Sequence, residues 1–111
     1  SIGDENIYIW ENGEDLTIIN LGIDNFSYYA IYLKETFIAT SMNDNTIRIY
    51  DFITKINLKT FYGHTQPVIK LEFVFSLNVL LSLSKNSLKL WNIKENISDS
   101  ILINEIMFST P

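Results

Sequence analysis

Ser41-Met42-Asn43-Asp44-Asn45-Thr46-Ile47-Arg48-Ile49-Tyr50-Asp51 holds two runs of alternating apolar residues that meet at a polar turn. The turn is Asn43-Asp44-Asn45, whose residue types tolerate left-handed backbone and form side-chain bonds to the backbone. Ile47, Ile49 and the ring of Tyr50 then start the next strand. The same arrangement occurs before it, in Asp4-Glu5-Asn6-Ile7-Tyr8-Ile9-Trp10-Glu11, and after it, in Lys85-Asn86-Ser87-Leu88-Lys89-Leu90-Trp91-Asn92. Trp10, Tyr50 and Trp91 therefore recur at spacings of 40 and 41 residues. A fixed period in that range marks a repeat architecture.

Working outward, the remaining segments read as short strands. They are expected at 7–10, 16–21, 27–33, 36–41, 47–50, 57–61, 68–75, 79–83, 88–91 and 101–108. Ile7 and Ile9 face one way along the first and Tyr8 and Trp10 the other, because side chains alternate across a strand. Gly13 lies in the polar turn that follows, free to take positive φ. Residues 22–26, 62–67 and 94–100 read as loops. Thr36-Phe37-Ile38-Ala39-Thr40-Ser41 is apolar enough on both faces to be buried on both. No stretch holds a helical period, and about ten short strands with turns every 8–12 residues indicate an all-β fold.

The 111 residues are 47% apolar and 19% charged, which is the composition of a globular domain rather than a disordered chain. The net charge of −5 argues against a surface for direct nucleic-acid binding, which needs clustered Lys and Arg. With no cysteine there is no disulfide framework and no thiolate chemistry, which fits a reducing compartment. No apolar run reaches the ~20 residues of a membrane helix, and no signal peptide is visible. The expected location is intracellular, in cytoplasm or nucleus.

Gly63-His64 and Leu88-Lys89-Leu90-Trp91-Asn92 resemble the WD40 repeat, with Gly-His near its start and Trp-Asp at its end. Gly63 and His64 stand 28 and 27 residues before Trp91, and Gly22 and Ile23 stand at the same distances before Tyr50. The resemblance implies four-stranded antiparallel blades of a β-propeller. Residues 1–21 would give half a blade, 22–62 one blade and 63–108 another. Propellers close with about 4 to 8 blades, so this ring is incomplete. The remaining blades are expected from a longer form of the same chain, from another chain or by oligomerisation.

The resemblance also implies a buried tetrad of loop His, strand hydroxyl, turn Asp and strand Trp. Its matches are Thr40, Asp44 and Tyr50 in one repeat, with Ile23 in place of His. In the other they are His64, Ser82 and Trp91, with Lys85 or Asn86 where Asp belongs. His64, the single histidine, is read as part of this structural network rather than as a catalytic base. Asp4, Asp44 and Asp51 lie in separate turns and do not make a metal loop. No phosphate-binding glycine loop is present. Tyr28, Tyr29 and Tyr32 read as packing residues. Asn25-Phe26-Ser27 and Asn96-Ile97-Ser98 read as chance matches to the glycosylation pattern.

No catalytic, cofactor or metal residue is expected. The resemblance implies a non-enzymatic scaffold that binds other proteins, and loops on a rigid frame are where recognition sits. The candidate loop positions are Asn25, Asn43, Thr65, Gln66 and Lys85. The alternative function is a structural segment of a larger assembly, including a nucleic-acid-containing one, with no peptide pocket of its own.

Overall fold

Runs rich in Ile, Leu, Phe and Tyr, punctuated by Asn, Asp and Lys, give ten strands among residues 4–11 and 15–108, which the computed structural model describes. They are β1 (Asp4–Glu11), β2 (Asp15–Ile23), β3 (Ser27–Lys34), β4 (Phe37–Met42), β5 (Ile47–Asp51), β6 (Ile56–Phe61), β7 (Val68–Val74), β8 (Val79–Ser84), β9 (Ser87–Asn92) and β10 (Ile101–Met107). The fold is all-β. All ten strands differ at one or both ends from the sequence expectation, most by a residue, and two of these ends have a local backbone cause. β2 runs on to Ile23 because Gly22, at φ +99°, lets the chain bend while still extended. β7 stops at Val74, and Phe75–Leu77 forms a 3-10 turn closed by Asn78 in left-handed backbone. The turn expected around Gly13 lies outside the described residues.

The strands form three antiparallel sheets, β1-β2, β3-β4-β5-β6 and β7-β8-β9-β10, in which spatial order follows chain order. The four-stranded antiparallel sheets are consistent with the propeller blades that the sequence resemblance implies, and no sheet closes on itself among the described residues. The Asn43-Asp44-Asn45 turn forms as its residue types require. Asn45 takes φ +68°, and the Asp44 carboxylate accepts the Thr46 N–H at 3.1 Å.

Alternation decides which face of each strand meets which neighbour. On β5, Ile47 and Ile49 join Leu33, Ala39 and Phe61 of the second sheet. Against them lie Val68, Leu71, Leu80 and Trp91 of the third. Tyr50 points the other way, into a cluster with Ile38, Met42 and Phe52 and with Ile19 and Leu21 of the first sheet. Ile7 and Ile9 of β1 pack against that cluster. Each fully buried Ile contributes about 1.5–3 kcal/mol by leaving water. β4 is buried along almost its whole length, as its two-sided apolar pattern demands.

Tyr28, Tyr29 and Tyr32 correct the packing expectation, because all three are exposed. They sit on β3, the edge strand of its sheet.

Candidate functional site

The third sheet brings His64, Ser82 and Trp91 together. His64 stands in the loop before β7, Ser82 on β8 and Trp91 on β9, and all three are buried. The Trp91 indole N–H donates to Ser82 Oγ at 2.8 Å. Ser82 Oγ lies 2.7 Å from His64 Nε2. An indole nitrogen can only donate, so the Ser82 hydroxyl keeps its own proton for the imidazole. The ring proton then belongs on Nδ1, which lies 3.2 Å from Ser87 Oγ. Ser87 Oγ is in turn 3.2 Å from Ser84 Oγ, and Ser84 donates to the Asn86 side-chain oxygen at 2.8 Å. These proton positions follow from satisfying every member of the chain.

Ser87 therefore stands where the sequence reading looked for a carboxylate or for Lys85 or Asn86. The signal that could have found it is the Ser84-Lys85-Asn86-Ser87 sequence, a pair of hydroxyls flanking a two-residue turn. Lys89 was also missed. It is buried on the same face of β9 as Ser87 and Trp91, under Gly63, and its ammonium pairs with Glu105 of β10. Burial, and then the Lys89 charge, hold the His64 pKa down to about 4, against a smaller opposing pull from Glu105. The imidazole is neutral at pH 7, bonded through both nitrogens to hydroxyls. Among the described residues no carboxylate is bonded to the ring, whose nitrogens meet the Ser82 and Ser87 hydroxyls.

The second sheet does not join its three matching residues into one chain of bonds. Thr40 Oγ1 donates to Ser27 Oγ, Asp44 accepts from Thr46, and the Tyr50 hydroxyl accepts from Arg48 at 2.8 Å. The physical reason is at Ile23, which occupies the histidine position and is 73% exposed, so no ring bridges strand and turn. Asp51 accepts the N–H groups of Ile53 and Thr54 within its own turn. The side chain of Asp4 lies outside the described residues. Among the described residues no group of three or more His, Asp or Glu converges as a metal site.

The candidate loop residues fall into two joined pairs of loops. Between β2 and β3, Asn25 donates to the Leu21 carbonyl at 2.9 Å. Asn43, in the β4–β5 turn, donates to the Asp24 carbonyl and accepts the Phe26 N–H, tying the two loops together. On the third sheet, the Asn86 amide donates to Thr65 Oγ1 at 3.1 Å, joining the β6–β7 loop to the β8–β9 turn. Thr65, Gln66 and Lys85 are exposed there. Asn25 and Asn43 spend their side chains on holding the loops.

A cavity of about 590 Å³ lies between β1 and the second sheet. Ile7, Ile9, Trp10, Ile31, Tyr32 and Phe52 are among its lining residues. Among the described residues no helix is long and apolar enough to cross a membrane.

Residues 55–92 match the family model described as WD domain, G-beta repeat. The match starts just before β6 and ends with β9, so the sequence repeat is offset from the sheets by one strand. Among solved structures, a chain of "Crystal Structure of Mitotic Checkpoint Complex" is similar in fold, with a TM-score of 0.74 and 18% sequence identity. The similarity covers 96% of this chain and 32% of that one, so the chain spans about a third of the length of its solved neighbour. No curated protein sequence matches it.

Proposed function

We propose, from the WD40 repeat that the chain carries at residues 55–92, that it is a non-catalytic scaffold whose loop rim binds other proteins. The observation that carries this reading is the bonding of each four-stranded sheet's entry loop to its central turn, through Asn43 in one and Asn86 in the other. Loops held this way lose little freedom on binding, which lowers the cost of recognition. Gln66, Lys85 and Thr65 would meet the partner, with Asn25 and Asn43 keeping the adjacent rim in shape. His64, Ser82 and Trp91 fix the strands beneath, and Thr40, Asp44 and Tyr50 serve the second sheet separately. The division into a half blade at 1–21 and blades at 22–62 and 63–108 belongs to the same proposal, supported by the three sheets. An intracellular site of action accords with the lack of cysteine. The alternative, a segment of a nucleic-acid-containing assembly, gains no support from the comparisons.

The test replaces Thr65, Gln66 and Lys85 singly with Glu or Arg and checks folding by melting temperature. Partner capture is then compared with that of variants at Lys34, Glu35, Lys55 and Lys59. Loss of capture in the first set is the expected result. If the first set folds and keeps every partner while the second set loses them, recognition lies on the opposite side.

A further inference from the structure

The boundary between the second and third sheets carries a groove of about 430 Å³. It opens at the end of the sheets opposite the Asn43 and Asn86 turns, where the β5–β6 turn faces the loop between β9 and β10. Both flanking sheets are four-stranded, so each wall is built from paired strands of the described chain. The floor is Phe37, Leu58 and Ile97, the outward side of the core cluster that joins the two sheets. Among the described residues of the lining, the charged ones are Asp51 on one wall and Glu95 on the other.

Both walls are held in shape before anything binds. Asp51 Oδ1 accepts the Ile53 and Thr54 N–H groups at 2.9 and 3.3 Å, and the Lys55 N–H donates to the Asp51 carbonyl at 2.7 Å. Opposite, Asn96 Oδ1 accepts the Ser98 hydroxyl at 3.0 Å, and the Asp99 N–H donates to the Asn96 carbonyl, closing the 3-10 turn at Ile97–Asp99. The Lys59 ammonium reaches across from β6 to the Ser98 carbonyl at 3.0 Å and fixes one wall to the other. That cation is engaged in the joint. The carboxylates are not: Asp51 Oδ2 and both Glu95 oxygens accept no bond among the described residues.

We propose that this groove receives an arginine side chain of another protein, presented in a linear segment between apolar residues. Arginine has an apolar stem, which the Phe37, Leu58 and Ile97 floor would take out of water. Its guanidinium is a planar fork of donors that can bond both carboxylates at once, whereas a lysine ammonium acts as a point charge. The net charge of −5 draws a cationic segment toward the chain. Because the turns are already braced, little ordering cost offsets the contact. The groove lies at the far end of the sheets from the loop rim, so it is a second surface and its test is independent of that reading.

The probe is the peptide acetyl-Ala-Leu-Arg-Leu-Ala-amide, followed by saturation-transfer NMR on the peptide in the presence of the full chain. Saturable binding with a Kd of roughly 100 µM is expected. A peptide with Gln for Arg should bind about tenfold more weakly, and salt at about 0.5 M should weaken the Arg peptide several-fold. Asp51→Asn and Glu95→Gln should each weaken it about fivefold. The first keeps the Oδ1 acceptor that the turn uses, and the second changes an exposed side chain, so both variants keep the fold. Glu72→Gln, at an exposed acid on β7 outside the groove, should leave binding as it is. The Gln peptide makes the decisive comparison on the unaltered protein, so the test holds even where a variant loses its β-type circular dichroism. Absence of binding at about 1 mM peptide, or equal binding of the Gln peptide, overturns the proposal. So does binding that both groove variants leave intact. Equal affinity for N-acetylarginine amide alone also overturns it, because the site would then serve a small free cation rather than a protein segment.

Discussion

Replacing Trp91 with alanine removes the side chain that joins the second and third sheets. The ring is 3% exposed and stacked on Phe61, and its N–H is bonded to Ser82. Large-to-small changes of a buried Trp cost about 3–5 kcal/mol through lost transfer energy and the cavity left behind. Trp91→Phe separates the two contributions. It keeps an aromatic face for Phe61 and loses the hydrogen bond, a net change of about 0.5–1.5 kcal/mol plus some lost volume. Ser82 retains its bond to His64, so no polar atom is stranded and the cost stays near that range. The ring–ring part emerges from a cycle with Phe61→Ala, in which a coupling of about 0.5–1.5 kcal/mol is expected for a stacked pair. The assay is urea unfolding of the full chain followed by far-ultraviolet circular dichroism, at one fixed protein concentration. A loss below about 0.5 kcal/mol for Trp91→Ala is what an exposed site gives, and it would refute the reasoning. So would a Phe variant as unstable as the Ala variant.

The remaining predictions concern the network and the loop above it. The folded-state pKa of His64 is about 4 and the unfolded value 6.5, so the unfolded chain binds the extra proton first. The stabilising contribution is complete above pH 6.5 and fades as the pH falls toward 4, by an upper bound of about 3 kcal/mol. Proton NMR of the single histidine checks it, and a titration midpoint near 6.5 in the folded chain contradicts it. Lys89→Met removes a charge that depresses this pKa, so the midpoint should rise; an unchanged or lower midpoint counts against the Lys89 contribution. Gly63 sits at φ +135°, and Gly63→Ala should cost on the order of 1 kcal/mol or more in backbone strain, read as a lower melting temperature. A melting temperature equal to wild type would show that the loop relaxes freely.

The 40- and 41-residue spacing of Trp10, Tyr50 and Trp91 made the sheets legible, because a strand's alternation and a turn's residue types are local properties. The histidine network was legible in three of its members, since a Gly-His pair at a fixed distance from a Trp carries its own register. Ser87 was not, because a hydroxyl can replace a carboxylate only when its neighbour, here Ser84, completes the bond. Lys89 was not, because its burial depends on Glu105 across the sheet, and a lone Lys in a strand normally signals solvent. Tyr28, Tyr29 and Tyr32 went astray for a related reason. Composition shows that aromatics favour cores, but whether an edge strand is covered depends on elements outside the local pattern. Asn25 and Asn43 looked like free loop residues, and only the loop-to-loop bonds reveal that they brace the rim.

Among the described residues every strand pairs only with its neighbours in sequence. That order bears on how the molecule comes into being on the ribosome. Each sheet needs only the few tens of residues just synthesised, so loop closure is short and its entropic cost small. The second sheet, with its outer Phe61, is complete before Trp91 emerges. The ring that joins the two sheets therefore arrives at a surface already made for it. Growth of this kind proceeds from the first hairpin toward the last, each finished layer acting as the template for the next.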